Sequence, residues 1–336
     1  MKKSLMILVT LIMTFALKVK SGPASPLELV RTIPMPGIAG RFDGFGVDVK
    51  GHRLFVTPLD HKTVEVYDLT TGKLIHSIPG IEKAHAVLYR GDLNEIFVTD
   101  GPADSLKIFQ GNKYEFVKDV KPLAKPDGIL YDPVSHYLYI ITGGENAKLD
   151  YSLIAVVDTD RGEHLGDIRI EGGTMEEMQL EKSSPRIFVV NREKDRIEVI
   201  DRNKRTILTT WPLTLGKVPV GLAMDESNHR LFVGCRSEVI VVVDSESGKE
   251  ITSVPISKGI DGMAFDPATK RIYSEASTGA IDVYEETDAD HYRTLGTTPI
   301  GVPAKPGLLV PELNRYFVAV PQHDNADAAI LEYKLQ

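Results

Sequence analysis

The chain has 336 residues, of which 42% are hydrophobic and 26% are charged, and its formal net charge at pH 7 is -8. This balance is typical of a globular protein and excludes a polytopic membrane protein. The acidic surface repels phosphate backbones, so we expect no nucleic-acid partner.

The first 24 residues differ from the rest of the chain. Lys2 and Lys3 precede an apolar run of 13 residues from Leu5 to Leu17, and small residues follow at Gly22–Ala24. Such a run is short for a membrane-spanning helix, and the order basic, apolar, small is typical of a secretory signal peptide. We therefore predict that residues 1–24 are a signal peptide, with an uncleaved N-terminal anchor as the alternative.

Without residues 1–24 the chain has 35 basic against 47 acidic residues, a net charge of -12. We expect this mature chain to be exported, periplasmic or secreted, and to have no membrane span. Its single cysteine, Cys235, cannot form an internal disulfide, so stability must come from core burial. Cys235 ends the apolar run RLFVGC, which predicts a small buried hydrophobe, and a catalytic thiol is the alternative.

One short phrase, an aromatic residue inside a β-branched run, recurs seven times. The aromatic residues are Phe55, Phe97, Tyr139, Phe188, Phe232, Tyr273 and Phe317. They are separated by 42, 42, 49, 44, 41 and 44 residues. A period of this length is the sequence pattern of a repeat architecture.

Each copy has the same surroundings. A glycine and a short strand pattern precede it, and polar turns separate it from two further β-rich runs. Four strands and about 44 residues per unit predict an all-β fold, a seven-bladed β-propeller with four-stranded blades. We expect residues 26–336 to form this single domain.

The last copy ends at ILEYKLQ and lacks a fourth strand, whereas PLELVRTIPM near the start is strand-like and has no blade of its own. We therefore predict that this N-terminal strand completes the seventh blade and closes the ring, which protects blade edges that would otherwise stay open.

The repeat resembles the YVTN family of bacterial propellers, also called YncE-like. The name-giving Tyr-Val-Thr-Asn has variants here in FVTP, FVTD, YIIT and FVVN, and the Val-x-Val-x-Asp…Thr-Gly-Lys element matches Val64–Lys73 and Val241–Lys249. Blades four and six depart from the pattern, with MEEMQLE and IYSEA. The resemblance implies an exported propeller, and related propellers include lactonases and lyases with a metal at the channel mouth.

Near the start of the first strand of each repeat, one position precedes a small residue. The seven residues at this equivalent position form what we call the column, and its composition is unusual. The column contains Asp43, His85, Asp127, Glu176, Val220, Asp261 and Pro306. In a propeller these positions surround the channel mouth, where oxygen-rich groups with a histidine suit Ca²⁺, Mg²⁺, Mn²⁺ or Zn²⁺. A metal site formed by Asp43, His85, Asp127, Glu176 and Asp261 is one hypothesis, in which Asp127 or Glu176 could serve as a general base, whereas a solvated rim without a ligand is the preferred interpretation.

Two alternatives use the bases that stand two positions earlier, Arg41, Lys83 and Lys125. These bases could form ordinary salt bridges with Asp43, His85 and Asp127 at a solvated channel mouth, with no ligand. They could instead hold a small anionic ligand. His61 and His323 are predicted on the same face of neighbouring blades, where they could approach His85.

Two loops on this face are long, Gly143–Ser152 and PQHDNADA near the end of the chain. Long loops on one face of a repeat array are typical of a binding face, and tolerated insertions are the alternative.

The preferred function is a non-enzymatic binding platform, with a protein, peptide, glycan or small molecule at the channel mouth and at the loops between second and third strands. A metal-assisted lactonase or lyase is the alternative, so whether the protein is an enzyme stays open. We expect a monomer.

Overall fold

The computed structural model describes residues 25–336, and the predicted signal peptide lies outside the described residues. Residues 25–336 form seven antiparallel sheets of four strands each, arranged as the blades of a propeller. Two single turns of 3-10 helix, Glu145–Ala147 and Pro311–Leu313, accompany the strands. The predicted all-β, seven-bladed fold is confirmed.

The first three blades follow one another along the chain, each running from the channel outwards. Blade one contains β2 (Phe42–Asp48), β3 (Arg53–Pro58), β4 (Val64–Asp68) and β5 (Leu74–Ile78). Blade two contains β6 (Ala84–Arg90), β7 (Glu95–Asp100), β8 (Ser105–Gln110) and β9 (Phe116–Val120). Blade three contains β10 (Ile129–Asp132), β11 (Tyr137–Gly143), β12 (Tyr151–Asp158) and β13 (Glu163–Glu171).

The next three blades repeat the same strand order. Blade four contains β14 (Met175–Leu180), β15 (Arg186–Asn191), β16 (Arg196–Asp201) and β17 (Thr206–Pro212). Blade five contains β18 (Pro219–Asp225), β19 (Arg230–Cys235), β20 (Val239–Asp244) and β21 (Glu250–Pro255). Blade six contains β22 (Ile260–Asp266), β23 (Arg271–Ala276), β24 (Ala280–Asp288) and β25 (His291–Pro299).

The seventh blade joins the two ends of the described chain. Its strands, in order from the channel, are β26 (Gly307–Val310), β27 (Arg315–Val320), β28 (Ala328–Leu335) and β1 (Leu27–Met35). Strand β1 pairs antiparallel with β28 along its length, with Leu27 opposite Leu335 and Met35 opposite Ala328. The predicted closure of the ring by the N-terminal strand is therefore confirmed.

The repeated aromatic residues account for much of the core. All seven are almost fully buried on the second strands. They belong to apolar clusters that join neighbouring blades, as where Phe317 of blade seven and Phe42 of blade one share one cluster. Burying such a side chain contributes about 1.5–3 kcal/mol, so the repeated phrase is a packing requirement of the ring.

Aspartates at the ends of first strands organise the turns that follow. Asp48, Asp132, Asp225 and Asp266 each accept a hydrogen bond from a backbone N–H two or three residues later, at 2.9–3.0 Å. A short acidic side chain fits this turn because it replaces a backbone acceptor. The acids in the repeated phrases YDP, MDE and FDP are therefore structural.

Cys235 is fully buried at the end of β19, as predicted for a small apolar residue. Burial raises the pKa of its thiol to about 12, whereas a nucleophilic cysteine needs a lowered value. In the part of the chain that the structure describes, no helix has the length and apolarity needed to cross a membrane.

Candidate functional site

Backbone irregularities place the column residues at the channel mouth. In five blades the pairing of first and second strands shifts at the column position, as between Phe42 and Gly44 and between Ile260 and Gly262. Such a β-bulge bends the strand and redirects the extra side chain. Asp43 and Asp261 are therefore turned out of the strand pattern towards the channel.

Threonines of the repeated phrase fix the backbone at these irregular positions. Thr57 of blade one donates a hydrogen bond from its hydroxyl to the carbonyl of His85 in blade two, at 3.0 Å. Thr99 of blade two donates in the same way to the carbonyl of Asp127 in blade three, at 2.9 Å. Each threonine therefore ties its own blade to the site residue of the next blade.

Asp43, His85 and Asp127 converge, and we call these three residues the mouth triad. The Nδ1 atom of His85 lies 2.7 Å from Oδ2 of Asp43 and 3.5 Å from Oδ1 of Asp127. One ligand-type atom from each residue lies within 4.8 Å of the other two. These are the first three members of the predicted metal set.

The electrostatics of the mouth triad allow it to hold either a proton or a metal ion. Burial favours the neutral imidazole, but the hydrogen bond that His85 donates to the Asp43 carboxylate and the charge of Asp127 outweigh burial and raise the pKa of His85. Burial raises the pKa of Asp127, and nearby Asp43 adds to that effect while His85 opposes it. A positive charge between the two carboxylates therefore stabilises the group.

Two members of the mouth triad, Asp43 and Asp127, line a cavity of about 220 Å³ at the channel mouth. The lining includes six acids and a single base. The acids are Asp43, Asp127, Glu176, Glu177, Asp261 and Glu275, and the base is Lys305. This excess of carboxyl groups favours a cationic occupant.

Glu176 and Asp261 line the same cavity but have cationic partners already. Arg192 lies 2.9 Å from Glu176, and Lys305 lies 3.2 Å from Asp261. Burial raises the pKa of Glu176, and the Arg192 guanidinium works against that rise. The structure thus places all five predicted metal ligands at the channel mouth, and three of them within reach of one ion.

Within residues 25–336, the bases predicted beside the acids form no ion pairs with those acids. Nζ of Lys125 lies 2.7 Å from Asp104, so this base is paired away from Asp127. Lys83 is half-buried, and its charge acts on His85 and Asp127 without an ion pair, whereas Arg41 is exposed. The expected pairing of Lys125 with the acid of its own loop is therefore wrong, because Asp104 of the preceding blade is closer.

The predicted approach of His61 and His323 to His85 is wrong. His61 is exposed, and Nδ1 of His323 lies 3.0 Å from the carbonyl of Pro321. Within residues 25–336, the groups with metal-binding geometry include neither histidine.

A second group with metal-binding residue types lies at the opposite end of the propeller. We call Glu181, His229 and Glu246 the basal triad. Arg186 fills it, with Nε 2.6 Å from Glu181 and Nη2 2.5 Å from Glu246. A guanidinium already supplies the positive charge that a metal would bring.

Two residues of the cavity were not predicted, Glu177 and Glu275. Glu177 is the second glutamate of MEEM on β14, and Glu275 lies in IYSEA on β23, the two phrases that depart from the repeat. Those departures were the available signal. The column contains only one residue from each blade, so it includes neither glutamate.

The long loop of blade three packs beside the cavity. The backbone N–H of Glu145 donates to Gly173 at 2.7 Å, and Ser152 donates from its hydroxyl to Gly172 at 2.9 Å. Tyr151 and Ser152 already belong to β12, so the loop is shorter than predicted. With Arg192 it lines a second cavity of about 190 Å³ that shares Asp127 and Glu176 with the first.

Comparisons with known proteins support the fold. Scans of the sequence against protein-family models and against curated proteins found no match. Among solved structures, a chain of Kuenenia stuttgartiensis hydrazine synthase is similar, with a TM-score of 0.71 and 14% identity. The similarity covers 94% of this chain and 100% of that chain. At this identity the likeness shows the propeller fold and carries no information about activity.

Proposed function

We propose that this protein is an exported propeller that binds a divalent cation at the mouth triad and presents the surrounding loops to a partner. The observation that carries the proposal is the convergence of three ligand-type atoms within 4.8 Å, beside a cavity lined by six acids that include Asp43 and Asp127. A propeller fold is consistent with an interaction platform, because rigid blades hold variable loops in fixed positions.

The donor set indicates which ions fit. One imidazole nitrogen and two carboxylates suit Mn²⁺ or Zn²⁺, whereas Ca²⁺ and Mg²⁺ prefer oxygen ligands alone. Three protein ligands leave coordination positions open towards the cavity. A carboxylate, hydroxyl or carbonyl group of a protein, peptide, glycan or small molecule could occupy them.

The second candidate is a metal-assisted lactonase or lyase. A cavity of about 220 Å³ beside the mouth triad accommodates a small ester or lactone, and a metal would polarise its carbonyl. Glu176 is the base candidate next to it, although Arg192 holds its carboxylate. An anionic ligand held by Arg41, Lys83 and Lys125 has less support, because Lys125 is paired with Asp104.

Export and family membership rest on the sequence. The basic, apolar and small-residue order of residues 1–24 supports a signal peptide, and the repeat phrases support the YVTN or YncE-like family. Mass spectrometry of the N-terminus of protein recovered from a host's periplasm tests the first inference. A chain that still begins at residue 1 would contradict it.

The experiment that tests cation binding is elemental analysis of the purified protein, followed by thermal unfolding with Mn²⁺, Zn²⁺, Ca²⁺ or Mg²⁺. We expect one ion per mouth triad and a higher melting temperature with Mn²⁺ or Zn²⁺. The effect should be clearly smaller in His85→Ala and should persist in full in the matched control His229→Ala. Absence of stoichiometric metal together with an unchanged melting temperature would overturn the proposal.

Platform and enzyme are distinguished by a second pair of measurements. Replacing loop residues 144–150 with a short Gly-Ser connection should abolish capture of a partner if the protein is a platform. Hydrolysis of simple lactones that depends on metal and is lost in Glu176→Gln would instead support the enzyme.

A further inference from the structure

The inner part of the cavity has a glutamate that the repeat does not explain. Gly262 pairs with Glu275 in blade six, and the equivalent Gly44 pairs with Thr57 in blade one. Glu275 therefore occupies the position on the second strand that is equivalent to Thr57. All the other blades have an uncharged residue at this position of the second strand. These residues are Thr57, Thr99, Ile141, Val190, Gly234 and Ala319.

Glu275 is buried and incompletely bonded. The residue is 2% exposed, lines the cavity, and its Oε1 has no hydrogen-bond partner among residues 25–336. A buried carboxylate without a partner is strongly unfavourable unless a positive charge or a proton compensates it. The free oxygen is therefore open either to a proton or to a positively charged occupant of the cavity.

Glu177 reaches the same space from blade four. A Cβ atom added at Gly262 would lie 3.5 Å from Oε1 of Glu177 and 3.5 Å from Oε2 of Glu275. The absence of a side chain at Gly262 thus leaves a gap bordered by two carboxylates. The phenol oxygen of the buried Tyr316 lies near the Glu275 carboxylate, because a side chain at Gly307 would clash with both Tyr316 and Glu275.

The charges around the gap favour a cation. Lys305, the single base in the cavity lining, is already 3.2 Å from Asp261. Burial raises the pKa of Glu177 to about 8 and holds the pKa of Glu275 well above its usual range, with Asp261 adding to both effects. Ionising the two glutamates together is therefore costly until a cation compensates them.

We propose that Glu177 and Glu275 bind a second divalent cation at the inner end of the channel cavity, separate from the mouth triad. Carboxylates and a phenol oxygen are hard ligands, so the site would take an oxygen-preferring ion such as Ca²⁺ or Mn²⁺. The inference does not depend on the mouth triad, since the two groups share no residue.

The test is a count of bound Mn²⁺ on metal-stripped full-length protein, by electron paramagnetic resonance of the free ion and by calorimetry. We expect two ions on the wild type, one on Glu275→Gln, one on His85→Ala and none on the double variant. Glu177→Gln should match Glu275→Gln, which keeps the test decisive if one variant folds poorly.

The matched control is Glu198→Gln. Glu198 is also buried with an unpartnered Oε2, but its Oε1 accepts hydrogen bonds from Asn191 at 2.6 Å and Arg196 at 2.7 Å. This variant should still bind two ions. The inner site would be overturned if both Glu275→Gln and Glu177→Gln still bound two Mn²⁺ ions. It would also be overturned if the wild type bound only one Mn²⁺ ion and only His85→Ala abolished that binding. A single ion that only the glutamate variants remove would support the inner site and overturn the mouth site.

Discussion

The mouth triad and the basal triad use the same kinds of side chain, one histidine and two acids, yet they differ in what lies between them. Arg186 lies among the basal residues, within 2.6 Å of both carboxylates. At the mouth, His85 alone bridges Asp43 and Asp127. The comparison teaches that suitable residue types and distances define a metal site only where no positively charged side chain of the protein already lies between the acids.

The largest expected effect comes from removing the charge that fills the basal triad. Arg186→Met leaves Glu181, which is 1% exposed, without its cationic partner. We expect a loss of about 3–5 kcal/mol in the free energy of unfolding, measured with urea, because one partner of a buried ion pair is lost.

The same variant tests the comparison itself. If an arginine is what prevents metal binding, Mn²⁺ should stabilise Arg186→Met more than the wild type. The double variant Arg186→Met with Glu181→Gln is the control and should recover part of the lost stability. A variant as stable as the wild type would contradict the role assigned to Arg186.

The next effect concerns the mouth triad. Asp127→Asn keeps the size of the side chain but removes one of two carboxylates, so the rise in melting temperature with Mn²⁺ should fall by more than half. The matched change in the basal triad, Glu246→Gln, should leave that rise unchanged. Equal losses in both variants would show that Mn²⁺ acts on the general surface charge.

A smaller effect concerns the pH dependence of stability, which should differ between Glu177 and Glu181, the acid that is paired with Arg186. Burial raises the folded pKa of Glu177 from 4.5 to about 8, so native protein keeps a proton that the unfolded chain releases. The associated stability is fully present below pH 4.5 and is lost as the pH rises through about 8. In chelator-treated protein, Glu177→Gln should therefore melt several degrees higher than the wild type above pH 8.

Glu181→Gln is the control for that comparison, and it should melt lower than the wild type under the same conditions because Arg186 loses its partner. Thermal unfolding across the pH range gives both results. A Glu177→Gln curve parallel to that of the wild type would show that Glu177 titrates normally.

The smallest effect concerns the threonines that support the mouth triad. Thr99→Val removes the hydroxyl that bonds the carbonyl of Asp127, which should cost about 1 kcal/mol and weaken Mn²⁺ binding several-fold. Thr287→Val is the control, since the Thr287 hydroxyl donates to the carbonyl of His291 at 3.0 Å in the outer strands of blade six. Calorimetry that finds equal Mn²⁺ affinity in both variants would rule out this support.

The fold could be predicted because each blade of the ring needs similar core and turn residues, which recur at a regular spacing in the sequence. Each blade has a buried aromatic residue on its second strand, and four of the seven have an aspartate at the turn after the first strand, so Phe55 and Asp132 have counterparts in other blades. The closing strand could be predicted because the last blade lacked one and the first segment had no blade.

The site could be predicted only in part. The column that contains Asp43, His85 and Asp127 was visible, because these residues occupy equivalent positions in the repeat. The partners of neighbouring residues were not visible, since Arg192 pairs with Glu176 and Asp104 pairs with Lys125 across different segments of the chain, where side-chain reach decides the pairing. Glu275 was missed because its importance depends on an unpartnered oxygen, which a sequence does not show.

The most direct test of the account is a crystal soaked with Mn²⁺ and measured at the manganese absorption edge. The account predicts an anomalous difference peak between Nδ1 of His85 and the carboxylates of Asp43 and Asp127, and no peak at Glu181, His229 and Glu246. A mouth without a peak, or peaks of equal height at both triads, would contradict it.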